Sequence, residues 1–342
     1  MVIQRKIRVL IVDDSLIFRE VLSRGLSSDI NIDVVAVAND PFDARDKIIK
    51  YKPDVMTCDV EMPKMNGIEF IKRLLPQYPL PVIVVSAISA TVFDAMNAGA
   101  VDFVTKPDIK VVKSVENFIL EMIAKVKVAS TAKIINSNTN NFTQRFENNM
   151  KNVSGKIIAI GASTGGTEAI FNILKELPSN SPGIVIVQHI PPVFSRMFAE
   201  RLNNSTNLEV WEAKTGDYVE VGKVLIAPGD LHMKIKKIGD KYRVECFEGE
   251  RVNGHCPSVD VLFESVAKEV GKNAIGVILT GIGYDGAKGL LDMRHNGAIT
   301  IGQDEETSVV YGMPKVAYNI GAVERQTSLG NIPNILYSIF GK

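Results

Sequence analysis

Short, nearly unbroken apolar runs recur through the first 125 residues, at Val9-Leu10-Ile11-Val12, Val34-Val35-Ala36-Val37, Val55-Met56-Thr57-Cys58, Val82-Ile83-Val84-Val85 and Phe103-Val104-Thr105. Helix-period stretches separate them. A strand with one wet face alternates apolar and polar residues, so continuous runs mark strands buried on both faces. Such strands in regular alternation with helices leave little choice of architecture, and the segment is expected to be a doubly wound parallel α/β sheet. The alternation resumes at 157–160, 184–187, 275–279 and 298–301, around a helix-poor meander at 208–248. A second α/β domain is expected there, mainly parallel, with an antiparallel extension.

Between the two sets of runs the composition changes. Asn136, Asn138, Asn140, Asn141, Asn148, Asn149 and Asn152 crowd a stretch poor in aliphatic residues. Such a segment cannot bury enough surface to fold alone. The expected division is a first domain at 1–125, a polar linker at 126–152 and a second domain at 153–342, in keeping with a chain of 342 residues. Lys plus Arg and Asp plus Glu number 39 each, which disfavours a nucleic-acid binder. No apolar run approaches the length of about 18 residues that spans a bilayer, and Arg5, Lys6 and Arg8 interrupt any signal-like start. Three scattered cysteines, Cys58, Cys246 and Cys256, fit a reducing compartment, so a cytoplasmic location without membrane insertion is expected.

Acidic residues follow two of the early runs: Asp13 and Asp14 after the first, Asp59 after the third. Ligands of open α/β sheets bind beyond the carboxyl ends of the strands. Three carboxylates converging there repel one another unless a hard cation joins them, and Mg2+ is the natural candidate. Ser86 ends the fourth run and Lys106 follows the fifth, adding a hydroxyl and a fixed cation at the same edge. This set suits formation of an aspartyl phosphate. It resembles the receiver domain of two-component response regulators, over roughly residues 6–125. The resemblance implies a flavodoxin-like sheet of order 2-1-3-4-5, phosphorylation of Asp59 by a histidine kinase, Mg2+ held by Asp13, Asp14 and Asp59, phosphoryl sensing by Ser86 and Lys106, and an aromatic switch at Phe103.

In the second domain, residues 161–166 read Gly-Ala-Ser-Thr-Gly-Gly directly after an apolar run. Ser163 at that turn is either a helix cap or a nucleophile. His189 and Asp285 also follow apolar runs, 184–187 and 275–279. Three strand ends on one sheet edge can bring a hydroxyl, an imidazole and a carboxylate together as nucleophile, base and orienting group. Backbone N–H groups near Thr164, Gly165 and Gly166 are candidate oxyanion donors. His255 with Cys246 and Cys256 lacks paired metal-ligand spacing. A competing pattern is present: residues 281–286 read Gly-Ile-Gly-Tyr-Asp-Gly, a glycine fingerprint of dinucleotide-binding oxidoreductases, with Asp304 and Glu305 after the next run. Asp285 argues against it, because a carboxylate would stand where a pyrophosphate needs N–H donors.

The hexapeptide, Gln188-His189-Ile190, Pro257-Ser258-Val259-Asp260-Val261-Leu262-Phe263 and Thr-Gly-Ile-Gly-Tyr-Asp-Gly at 280–286 together resemble the chemotaxis protein-glutamate methylesterase family, the CheB family. The resemblance spans nearly the whole chain. It implies Ser163 as nucleophile, His189 as general base, Asp285 as its partner, and Thr164, Gly165 and Ile282 around the oxyanion. It further implies phosphorylation-activated hydrolysis of γ-glutamyl methyl esters on chemoreceptors with release of methanol, deamidation of receptor glutamines, and no cofactor for the esterase reaction. The chain departs from the family pattern at Ile282, where Met is usual, and at Cys256, where Arg is usual.

Overall fold

The computed structural model describes residues 5–87, 91–133 and 153–340. The chain divides into two compact units, residues 1–136 and 137–342. In the first, β1 (Ile7–Val12), α1 (Leu16–Ser27), β2 (Ile32–Ala38), α2 (Pro41–Tyr51), β3 (Val55–Asp59), α3 (Gly67–Leu74), β4 (Val82–Ser86), α4 (Val92–Asn97), β5 (Asp102–Thr105) and α5 (Val112–Ala129) follow in strict alternation. The strands form one parallel sheet of order β2-β1-β3-β4-β5. Local chemistry sets several helix starts. Asp40 caps α2 through bonds to Phe42 N and Asp43 N with Pro41 at the first turn, and Asn66 caps α3 through Glu69 N. Gly67 begins α3 where a Cβ would lie 2.0 Å from the Asp59 carbonyl oxygen, so the loop after Asp59 folds back on itself only with glycine there.

The helix α5 runs four residues past the expected boundary at 125, because Val126, Val128 and Ala129 continue its buried face. Most of the expected linker, 134–152, lies outside the described residues.

The second unit contains β6 (Ile157–Ala162), α6 (Gly166–Leu174), β7 (Gly183–Gln188), α7 (Phe194–Ser205), β8 (Glu209–Glu212), β9 (Lys223–Ile226), β10 (His232–Ile238), β11 (Lys241–Phe247), α8 (Val259–Glu269), β12 (Ala274–Ile278), α9 (Ala287–His295), β13 (Ile299–Gln303), α10 (Met313–Asn319), β14 (Arg325–Thr327) and α11 (Ile332–Phe340). Its main sheet is parallel throughout, in the order β14-β13-β12-β6-β7-β9-β8. The meander therefore supplies two parallel strands to this sheet, while β10 and β11 form a separate antiparallel pair. Val185, Val187, Ile157 and Ala159 face a core built with Val259, Leu262, Phe263 and Val266 of α8. The alternate residues Ile158, Ile160, Ile184 and Ile186 are equally buried. Burial on both faces accounts for the continuous apolar runs. Gly161 lets α8 close on β6: a Cβ there would lie 2.2 Å from Val259 Cγ1.

Strand order reverses around β6, the first strand of the unit, which lies between β7 and β12. The crevice of such a sheet opens at that point, beyond the carboxyl ends of the strands.

Candidate active site

Ser163 follows β6, His189 follows β7, and Asp285 lies in the loop after β12, so the reversal point collects all three. Register brings them level: Ala162 pairs with Gln188, and Ser163 N–H donates to Thr280 O at 3.0 Å. The Gln188 amide ties the first two positions together, donating to Ser163 O at 2.9 Å and His189 O at 3.1 Å. Gly281 packs against the serine, where a Cβ would lie 2.6 Å from Ser163 Cβ.

Ser163 does not act as the cap of its helix. The N-cap of α6 is Gly165, at φ 76°, and no side chain makes a capping bond there. Thr164 and Gly165 lie directly after Ser163, with Gly165 at the N-cap of α6, the end of a helix whose N–H groups have no partner within the helix. Gly166 is different: its N–H donates to Ser163 O at 2.7 Å and is no oxyanion donor. Ile282 follows Gly281 directly and is exposed, as is Tyr284.

His189 Nε2 meets Asp285 Oδ2 at 2.9 Å. Because the carboxylate accepts, the proton belongs on Nε2, which leaves Nδ1 as the basic nitrogen. Nδ1 is buried and has no hydrogen-bond partner, the state expected of a base awaiting a proton. Asp285 in turn accepts from Asn253 Nδ2 at 2.8 Å, Ser258 Oγ at 2.7 Å, Val259 N at 2.7 Å and Asp260 N at 3.3 Å. The last two N–H groups open α8, whose own N-cap Ser258 makes no side-chain capping bond. Asp285 thus caps α8 from across the site and takes advantage of its positive end. Burial alone would raise the Asp285 carboxyl, but the bonds from His189, Asn253 and Ser258 outweigh it and hold it far below the usual carboxylate range. The neighbouring Asp260 is pushed up, mainly by burial and then by Asp285, despite a 2.7 Å bond from Gly289 N.

The glycine fingerprint at 281–286 is accounted for by this arrangement, which corrects the dinucleotide alternative. Gly281 abuts Ser163, and Gly312 N and Met313 N bond its carbonyl. Gly286, at φ 88°, starts α9, while the preceding Asp285 points its charge at His189 and α8. The fingerprint carries a buried carboxylate where a dinucleotide would place its phosphates.

Sequence reasoning gave no role to Asn253, Ser258, His232 or Gln188. His232 is buried, its Nδ1 accepting from Ser258 N at 3.2 Å and its Nε2 paired with Glu250 O at 2.9 Å. Gln188 and Ser258 stand within the motifs that carry the family resemblance, with no role attached to them there. Cys246 Sγ lies 3.6 Å from Ala213 O and His255 stacks on His189, so they and Cys256 form no metal cluster among the described residues.

In the first unit the predicted acids converge: ligand oxygens of Asp13, Asp14 and Asp59 lie within 4.8 Å of one another. Asp13 and Asp59 are buried and Asp14 is exposed. Lys106 Nζ lies 2.6 Å from Asp59 Oδ2 and 2.9 Å from Asp13 Oδ2. The latter approach is an ion pair without hydrogen-bond alignment, so Asp13 Oδ2 remains a buried oxygen with unused acceptor capacity. An all-oxygen, all-carboxylate donor set of this spacing fits a hard divalent cation. Burial raises the Asp59 carboxyl, partly offset by Lys106 and reinforced by Asp13. Ser86 is fully buried at the end of β4, and Phe103 is buried in β5 with its ring edge-on to Phe93. Burial also pushes the Cys58 thiol far up, which suits a core strand residue and not a redox thiolate.

Residues 9–116 match the response regulator receiver domain, and residues 158–336 match the CheB methylesterase domain. The protein-glutamate methylesterase/protein-glutamine glutaminase 2 of Syntrophomonas wolfei is 56% identical over 345 residues, covering 99% of each chain. The protein-glutamate methylesterase/protein-glutamine glutaminase of Syntrophotalea carbinolica is 50% identical, covering 96% of each chain. Among solved structures, the Thermotoga maritima CheB methylesterase catalytic domain is similar over 54% of this chain and 99% of its own, at 38% identity and a TM-score of 0.53. No helix among the described residues is long and apolar enough to cross a membrane.

Proposed function

The chain belongs to the CheB methylesterase family, and on that footing we propose that it is a phosphorylation-activated hydrolase of glutamyl γ-methyl esters on chemoreceptors. The observation that carries this reading is His189: Nε2 is bonded to Asp285, and Nδ1 is buried and unpartnered beside the turn that bears Ser163. Ser163 Oγ attacks the ester carbonyl while His189 Nδ1 takes its proton. Asp285 holds the Nε2 tautomer and stabilises the imidazolium. The carbonyl oxygen becomes an oxyanion facing the N–H groups of Thr164, Gly165 and Ile282. The C–O bond to the methoxy group then breaks, Nδ1 returns the proton, and methanol leaves. Water enters by the same route in reverse, His189 accepting its proton, and releases glutamate and free serine. A glutamine side chain in place of the ester follows the same steps with ammonia as leaving group, which gives a glutaminase activity. Ile282 serves through its backbone, so the departure from Met leaves the chemistry intact.

Regulation resides in the first unit. Asp59 accepts the phosphoryl group from a chemotaxis histidine kinase, Lys106 and Ser86 bind its oxygens, and Phe103 registers the change at the aromatic switch position. Asp13, Asp14 and Asp59 would hold Mg2+, which when bound would neutralise charge on the transferred group. Three buried or half-buried groups of opposite charge already meet at that point, Asp13, Asp59 and Lys106. The partners are thus a histidine kinase and methylated receptor helices, and the setting is the cytoplasm.

The test is methanol release from methylated receptor membranes, with and without acetyl phosphate and Mg2+. Release that rises with the phosphodonor supports the assignment. No release under either condition rejects it.

A further inference from the structure

Residues 252–255 read Val-Asn-Gly-His and close into a two-residue hairpin: Val252 N donates to His255 O at 3.0 Å and His255 N returns a bond to Val252 O at 2.9 Å. Asn253 and Gly254 have φ of 54° and 84°, the pair of left-handed residues that a type I′ turn requires and that Asn-Gly accommodates with least strain. Turns of this kind ordinarily join two strands. This one joins none; it stands in the connection between β11 and α8. What it delivers is two side chains. Asn253 Nδ2 donates to Asp285 Oδ1 at 2.8 Å and to Asp260 Oδ2 at 2.7 Å. His255 lies flat on His189, with ring centroids 3.7 Å apart and planes within 10°.

We propose that the 252–255 turn is a positioning clamp on the proton-transfer pair, in which Asn253 fixes the Asp285 carboxylate and His255 fixes the plane of the His189 ring. The inference rests on the reading of Ser163, His189 and Asp285 as the hydrolytic machinery. Neither clamp residue makes a hydrogen bond to His189 Nδ1, the nitrogen that takes the proton. Each acts through its neighbour.

The side chain of His189 has one hydrogen bond, at Nε2. A ring held at one point can still tilt about it, and tilting displaces Nδ1, the nitrogen that must meet the serine hydroxyl. A second ring stacked on its face removes that freedom and excludes water from one side. The stack requires that both rings never carry charge together. Burial, then the His189 charge, lowers His255 to about 4, with Arg251 acting in the same sense and Asp285 opposing, so His255 remains neutral while His189 cycles. Asn253 solves a related problem. Asp285 and Asp260 lie close enough that Asp260 N–H donates to Asp285 Oδ1, and two carboxylates so placed repel. One amide NH2 group shared between them holds both in place.

The test uses the full-length protein, methylated receptor membranes and a small fluorophosphonate that reacts with activated serines. His255→Ala is expected to lower kcat for methanol release by about 10- to 100-fold with KM unchanged, and to slow fluorophosphonate labelling of Ser163 by the same factor. His255→Phe keeps a flat ring without a titratable nitrogen and is expected to recover most of both. Asn253→Asp sets a third carboxylate against Asp260 and Asp285. The other charged or titratable groups facing this point are His189, His255, Arg251 and, beyond Asp260, Glu264. The added charge favours the imidazolium of His189, so the acid limb of the kcat/KM profile moves to higher pH. A His255→Ala protein with wild-type kcat and labelling rate overturns the proposal, as does an unshifted acid limb in Asn253→Asp. Should His255→Ala fail to fold, the Asn253→Asp profile decides. A wild-type protein that neither labels nor releases methanol rejects the hydrolytic reading itself, and the clamp falls with it.

Discussion

Replacing Asp285 separates its structural work from its chemical work: Asp285→Ala removes the carboxylate, whereas Asp285→Asn exchanges one of its oxygens for an NH2 group. The carboxylate collects donors from His189, Asn253, Ser258, Val259 and Asp260 at 2.7 to 3.3 Å. Asp285→Ala removes every acceptor. It leaves Ser258 Oγ and Val259 N, both in fully buried residues, without partners, at about 1–3 kcal/mol each. Loss of the His189 and Asn253 contacts brings the expected destabilisation to about 3–5 kcal/mol, a large part of a typical domain's stability. Asp285→Asn keeps the shape and, with its oxygen in the Oδ1 position, an acceptor for Ser258, Asn253 and Asp260, but it sets an NH2 against Val259 N, so its stability cost is about 1–3 kcal/mol. The amide's NH2, however, now faces His189. Donor against donor is relieved only if His189 moves its proton from Nε2 to Nδ1, and a protonated Nδ1 cannot accept from Ser163. Turnover should fall about 10⁴-fold, equivalent to about 5.5 kcal/mol of barrier. Urea unfolding followed by circular dichroism measures the first quantity and methanol release the second. Asp285→Asn turnover within tenfold of wild type would refute the tautomer argument.

Other expectations follow from the same geometry. Asp59→Asn should keep basal methanol release but lose its increase with acetyl phosphate and Mg2+, because the amide cannot form an acyl phosphate; a retained increase would place the phosphorylation elsewhere. Gly281→Ala would put a Cβ 2.4 Å from Met313 Sδ and 2.6 Å from Ser163 Cβ, so it should destabilise by about 1–3 kcal/mol and cut turnover by up to about 100-fold, read by the same two assays. The pH dependence of stability has a definite sign. The folded Asp285 carboxyl is lowered from 3.8, so its contribution is fully present above that value and is lost as pH falls through the depressed folded value. The gap in unfolding free energy between wild type and Asp285→Asn should therefore be constant above pH ~5 and shrink below pH ~4; a gap that widens on acidification contradicts the assignment.

The parallel strands were legible because burial on both faces leaves no polar residue to interrupt them, as in β1, β4, β6 and β7. Ser163, His189 and Asp285 could be singled out for the same reason: each follows the end of a run that the sequence marks plainly. The contacts that hold Asp285 were not legible. Asn253, Ser258 and Val259 reach it from 26 to 32 residues away, through a turn and a helix end whose local pattern says nothing of what lies opposite. A helix capped by a distant carboxylate leaves no capping signal at its own start, and α8 is such a helix. The antiparallel extension expected in 208–248 is the β10–β11 pair. β8 alternates in burial and exposes Trp211, so 208–248 read as a meander although β8 and β9 extend the parallel sheet. At 281–286 two glycines gave a true signal of close approach, Gly281 to Ser163 and Gly286 to Val259 of α8, while Gly283 stands in open space.

The central claim is that Ser163 is the nucleophile of glutamyl ester hydrolysis. Methanol release from methylated receptor membranes, compared between wild type and Ser163→Ala, tests it most directly. The account predicts steady release by the wild type and a loss of about 10⁴-fold or more in a Ser163→Ala protein that unfolds at the wild-type urea concentration. Release by folded Ser163→Ala at close to the wild-type rate would contradict it.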